Sequence, residues 1–120
     1  MEIQQMEKRI EKIKLALQKL GEMRPGSINK QLTVCGRPGC RCQDPQNPQK
    51  HGPYYQLSYV HNGKSTTQFI QKQFVRDVAR QLKNFKIFKA LTTEWVDLAL
   101  TSAMQKLALD RQELKTSQKK

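Results

Sequence analysis

Tyr54-Tyr55-Gln56-Leu57-Ser58-Tyr59-Val60-His61-Asn62-Gly63-Lys64-Ser65-Thr66-Thr67-Gln68-Phe69-Ile70 is the stretch that decides the fold class. Its first half is rich in aromatic and β-branched residues, Asn-Gly is a strong hairpin-turn signal, and a second β-rich run follows. A β-hairpin is expected. On its first strand Tyr55, Leu57 and Tyr59 share one face, which assigns at least two tyrosines to a core. A lone hairpin is marginal in water, so one face must pack on a helix, on the preceding segment or on a third strand such as Leu32 to Val34.

The segment Arg24 to Lys50, before the hairpin, holds all three cysteines and four of the five prolines, with little helical or strand periodicity. It reads as a metal-organised loop. Cys35-Gly36-Arg37-Pro38-Gly39-Cys40-Arg41-Cys42 brings three thiols into eight residues, and His51 follows with the overall spacing C-x4-C-x-C-x8-H. Thiolate and imidazole are the ligands zinc prefers, and four of them close a tetrahedral site with no open position. Cys35, Cys40, Cys42 and His51 are therefore the candidate ligands of one structural zinc. Reduced surface cysteines, and redox use of the Cys-x-Cys pair, are the alternatives. An odd count of closely spaced cysteines beside a histidine argues against a disulfide framework. No acidic cluster accompanies the cysteines, Asp44 being the only nearby acid, so the chain is not expected to be an enzyme and a metal-dependent nuclease is disfavoured.

Further towards the N-terminus, Ile3, Met6, Ile10, Ile13, Leu17 and Leu20 recur at alternating three- and four-residue steps. This spacing predicts an amphipathic helix over residues 2–22, stopped by Gly21 and Pro25-Gly26. The seam fits packing within the chain, or a coiled-coil homodimer through residues 3–20. Beyond the hairpin, Phe74, Val75, Val78, Leu82 and Phe85 oppose Arg76, Arg80, Lys83 and Lys86, which predicts a helix with a basic back. A second apolar series runs through Leu91, Trp95, Leu98 and Leu107, and Thr92-Thr93-Glu94 within it could cap a new helix, so the region reads as one helix or two. The fold expected is α+β, a zinc-stapled loop and β-hairpin flanked by an N-terminal helix and a C-terminal helical pair. Its parts are residues 1–22, 23–70, 71–112 and a basic disordered tail at 113–120, all in one domain.

Twenty-two Lys and Arg against ten Asp and Glu give the 120-residue chain a net charge of +12, which favours a polyanionic partner. Arg24, Lys30, Arg37, Arg41, Lys50 and Lys64 surround the cysteine segment and hairpin, with Tyr54 as an aromatic face and Arg76, Arg80 and Lys83 along the basic helix. Phosphate-neutralising groups beside a stacking ring suit RNA or single-stranded DNA. The expected function is zinc-stabilised nucleic-acid binding, as an accessory subunit of a larger protein or nucleoprotein complex. The alternative is an assembly adaptor docking through its amphipathic helices without touching nucleic acid. No membrane-spanning run or signal peptide is read, and a cytoplasmic location is expected.

Arg24-Pro25-Gly26-Ser27, Cys35-Gly-Arg-Pro-Gly-Cys-Arg-Cys42, His51-Gly-Pro-Tyr-Tyr55 and Asn62-Gly-Lys64 together resemble a family of small bacterial and archaeal proteins of unknown function. The resemblance covers about residues 20 to 105 and reaches the Thr93-Glu94-Trp95 helix. It implies companionship with mobile genetic elements, which suits a nucleic-acid role, and no established activity.

Overall fold

Asn62 and Gly63 adopt φ of +51° and +78°, the pair of positive values that a two-residue hairpin turn needs to match the twist of its strands. In the computed structural model, which describes residues 2–33, 39–47 and 49–118, this turn joins β2 (His51–His61) to β3 (Lys64–Ile70) with His61 opposite Lys64. The hairpin is longer than expected at the His51 end. A third strand, β1 (Ser27–Thr33), pairs antiparallel with β2, giving the order β1-β2-β3. β1 starts well before the Leu32 to Val34 stretch and occupies the first part of the expected loop. Its sequence, Ser-Ile-Asn-Lys-Gln-Leu-Thr, has little β signal of its own. Pairing with β2 and the shielding of Ile28 opposite Leu57 hold it in place.

The chain divides into two compact units, Glu22–Phe85 and a second formed by Met1–Gly21 with Lys86–Lys120. In the first, Leu57 is fully buried with Val78 and Leu82, and Ile28, Tyr59 and Ile70 pack against them. Strand alternation explains the set: Leu57 and Tyr59 on β2 face the same side as Ile28 and Ile70, while Tyr54, Val60 and Phe69 face the other. Val78 and Leu82 are one turn apart on α2 (Val75–Gln118), so a single helical stripe closes the core. Burying each such side chain is worth about 1.5–3 kcal/mol. The chain entering β1 is tied to the same helix: Arg24 N donates to Gln81 O at 3.2 Å and Asn84 Nδ2 to Glu22 O at 2.8 Å.

In the second unit, α1 (Ile3–Gln18) starts with the Glu2 N–H donating to Gln5 Oε1 at 3.3 Å. All six residues of the predicted seam are shielded, Met6 and Ile13 down to 1% exposure. Phe88, Leu91, Trp95, Leu98 and Ser102 are the shielded stripe of α2 here. Arg9 grips Glu94 with two bonds of 2.7 and 2.8 Å, Lys106 meets Glu7 at 2.9 Å, and Lys14 Nζ lies 5.4 Å from the centre of the Trp95 ring. These contacts run the two helices in opposite senses. Each pair is exposed and worth little alone, so the apolar seam carries the packing.

The expected helical pair is one helix of 44 residues. The hydroxyls read as a cap do something else: Thr92 Oγ1 donates to Phe88 O at 2.8 Å, one turn back, and Glu94 is engaged by Arg9. A threonine whose hydroxyl satisfies the i−4 carbonyl sits inside a helix rather than starting one. Phe74, expected on the helix's apolar side, lies in a 3-10 turn over Lys72–Phe74 and is 51% exposed. At the other end α2 takes in residues 113–118 of the stretch expected as a tail. Among the described residues no helix is long and apolar enough to cross a membrane.

Candidate metal centre and nucleic-acid interface

Of the four expected zinc ligands, Cys35 lies outside the described residues, as does Arg37. Cys42 and His51 are described in their backbone, and Cys40 is half-buried. Among the described residues no three His, Cys, Asp or Glu side chains form a metal cluster, a set that takes in only one of the four candidates. The described backbone between residues 40 and 49 makes several hydrogen bonds of its own. Cys40 O accepts from Gln43 N at 3.0 Å and opens a 3-10 turn over Arg41–Gln43. Asp44 Oδ1 then accepts from Gln46 N at 3.0 Å, the side-chain turn that Asp favours. Gln49 N returns to Arg41 O at 2.9 Å, closing the loop.

That closure brings the chain just before His51 back to the residue between Cys40 and Cys42. Across the sheet, Thr33 at the end of β1 is opposite His51 at the start of β2, after an irregularity in register between Gln31 and Thr33. The backbones of Cys40, Cys42 and His51, and the strand end that leads to Cys35, thus share one end of the sheet.

The cationic candidates do not all gather there. Arg41 and Lys50 flank the loop closure and are exposed, and Lys30, also exposed, is opposite Tyr55 on β1. Lys64 sits at the hairpin tip, at the opposite end of an 11-residue strand, about 33 Å away along β2. Arg24 is at that far end too, lining an open cleft of about 610 Å³ with Tyr59, His61, Gln68 and Gln81. Arg76, Arg80 and Lys83 are exposed on one face of α2, turned away from Val78 and Leu82, and Arg80 leans on Asp77 at 3.6 Å.

Tyr54, alone among the three tyrosines, is on the sheet face opposite the core, 45% exposed near the loop end. Phe69 shares that face at 70% exposure. It is opposite Gln56, so Tyr54 is its diagonal neighbour across the strands, within reach of an aromatic ring. Asn29, Gln31, Gln56, Ser58 and Thr67 complete the open face by strand alternation. Phe69 was legible in the sequence: its neighbour Ile70 is apolar and next to it on the strand, so only one of the two can face the core.

A domain of unknown function, DUF6788, matches residues 3–80. The chain belongs to this family. The DUF6788 match agrees with the unknown-function family that the sequence motifs resemble, and differs in extent: it takes in α1, the whole sheet and the start of α2, and stops at Arg80. No curated protein and no solved structure matches the chain.

Proposed function

We propose that this is a zinc-stabilised, basic nucleic-acid-binding protein, taking RNA or single-stranded DNA as ligand within a larger nucleoprotein complex. The observation that carries the metal half is the convergence of backbone at one end of the sheet. Gln49 bonded to Arg41 ties the approach to His51 to the Cys40–Cys42 turn, and Thr33 opposite His51 brings β1 to the same point. Cys35 follows Thr33 by two residues in the sequence. The Cys40 and Cys42 thiols, separated by Arg41, would with Cys35 and the His51 imidazole make a complete zinc donor set. A loop rich in Pro and Gly, with little apolar content, gains its fixed geometry from the metal.

The nucleic-acid half rests on what borders that loop. Arg41 and Lys50 stand at its closure, and Tyr54 and Phe69 give two exposed rings on the open sheet face. Bases stack on such rings whatever their sequence, while cations neutralise phosphate. Sheet-borne rings beside a basic loop suit a single strand better than a duplex, whose bases are already stacked.

Native mass spectrometry of the protein purified without added metal tests the first half, with one zinc per chain expected and none after Cys40→Ser. A Cys40→Ser protein that keeps both its zinc and its melting temperature would overturn the assignment. Titration of a labelled single strand at rising salt tests the second, with steep weakening expected as counterions are released. The adaptor alternative draws on an apolar stripe of α2, and binding through such a stripe would hardly respond to salt.

A further inference from the structure

The shielded stripe of α2 in the unit with α1 is one of two. Val96, Leu100, Met104, Leu107 and Leu114 are 56%, 59%, 71%, 51% and 59% exposed, respectively. Val96, Leu100, Leu107 and Leu114 form with Ala103 a second line at seven-residue spacing, Leu100, Leu107 and Leu114 in one position and Val96 and Ala103 in the other, with Met104 on its flank. At about 100° per residue this line spans about 60° of the helix surface, and its centre lies about 130° from that of the Phe88, Leu91, Trp95, Leu98 and Ser102 stripe. It is a separate face. Beside it, Thr92, Trp95, Val96, Ala99 and Leu100 line an almost wholly apolar groove.

A second observation concerns the same region. Every residue from Ala103 to Ser117 is helical and exposed, fifteen in succession. A helical stretch of that length is marginal in water unless a face is packed. This one carries four large apolar side chains, Met104, Leu107, Leu109 and Leu114, which no solvated helix needs.

We propose that this face is a homodimer seam, in which α2 pairs with α2 of a second copy in antiparallel sense. Charge selects both the occupant and the direction. Asp97, Met104 and Arg111 lie seven apart along one flank of the stripe. In an antiparallel pair like flanks meet, so a two-fold axis level with Gln105 brings Asp97 beside Arg111 of the second copy, twice, with the methionines between them. The same register seats Leu107 over Ala103 and Leu114 over Val96, large against small at each layer. Asp110 falls beside Leu100, where its carboxylate can turn out to solvent. A parallel pair instead stacks Asp110 on Asp110. On the other flank the antiparallel pair brings Lys106 level with Lys106 of the second copy, each bonded to Glu7 of its own chain. The flank of Asp97, Met104 and Arg111 is complementary to itself reversed, which is the signature of an isologous contact rather than of an unrelated partner.

The test is sedimentation equilibrium on the full chain, as purified and cleared of nucleic acid by nuclease and high salt. A dimer is expected at micromolar concentration. Leu100→Glu with Leu107→Glu is expected to weaken association by about a hundredfold or more while circular dichroism retains the α1–α2 helicity, because two charges per chain would be buried without partners. Asp97→Arg alone is expected to weaken the dimer, and Asp97→Arg combined with Arg111→Asp to restore it. The proposal is overturned by a wild-type monomer throughout that range, including one that binds a different protein through the stripe. A dimer indifferent to the Glu pair, or a charge reversal that the second substitution does not rescue, overturns it equally.

Discussion

Replacing Gly52 by alanine is the sharpest single-residue test of how the sheet holds the loop end together. Gly52 has φ of +122°, a conformation almost confined to glycine, and an L side chain held there costs about 1–3 kcal/mol. A Cβ would also stand 2.8 Å from Gln31 O and 3.0 Å from Tyr54 N. Both are backbone atoms of the paired strands, so neither can swing aside, and relief by moving β1 from β2 adds about another 1–3 kcal/mol. The sum is about 4 kcal/mol, which lowers the melting temperature by about 15 °C in a domain of this size. Gly63→Ala is the internal control: φ is +78° but nothing lies within 4 Å of the added carbon, so only the backbone term of about 1 kcal/mol applies. Thermal denaturation of both proteins decides the matter. If Gly52→Ala melted no lower than Gly63→Ala, the close approach of β1 to β2 beside His51 would be wrong. Since Gly52 adjoins His51, the same substitution is expected to reduce zinc content while Gly63→Ala leaves it unchanged.

Leu57→Ala should cost about 3–5 kcal/mol, because the side chain is fully buried against Val78 and Leu82 from the central strand; a loss under 1 kcal/mol by chemical denaturation would contradict that core. Phe69→Ala should change stability by less than about 1 kcal/mol yet weaken single-strand binding by about 1–3 kcal/mol, and equal affinity in fluorescence anisotropy would remove the open sheet face from the interface. The hydrogen bonds from Arg9 hold the Glu94 carboxyl below its ordinary value, outweighing the opposing desolvation, with the arginine's charge acting in the same direction. A depressed folded-state value means the contribution is complete above the ordinary glutamate range and fades as pH falls through the lowered one. Helicity measured down an acid titration should therefore drop less steeply in Glu94→Gln than in the parent protein, and identical curves would show that the pair is energetically silent.

The hairpin and the α1 seam were legible because each is written in local periodicity. Asn62-Gly63 can close only a narrow set of turns, and six apolar residues at helical steps define one face whatever covers it. The expected zinc ligands cluster in sequence, and the backbone brings Cys40, Cys42 and His51 to one end of the sheet. The grouping of the cations was not legible. Lys64 and Lys50 flank the same strand in sequence, yet the extended β2 puts its whole length between them.

Composition and local pattern by themselves determined the basic charge, the hairpin and its register turn, the amphipathic N-terminal helix, and the spacing of the Cys and His donors. Tertiary structure alone decided the rest. β1 exists because its backbone pairs with β2 and Ile28 meets the core, a long-range gain that a polar seven-residue run does not announce. α2 is continuous because Thr92 bonds back to Phe88 and Glu94 is held by Arg9, whereas the same residues in isolation read as a cap. Local signals report what a segment can form cheaply, and the choice among those forms is made by partners distant in sequence, whose contribution appears only once the chain has closed on itself.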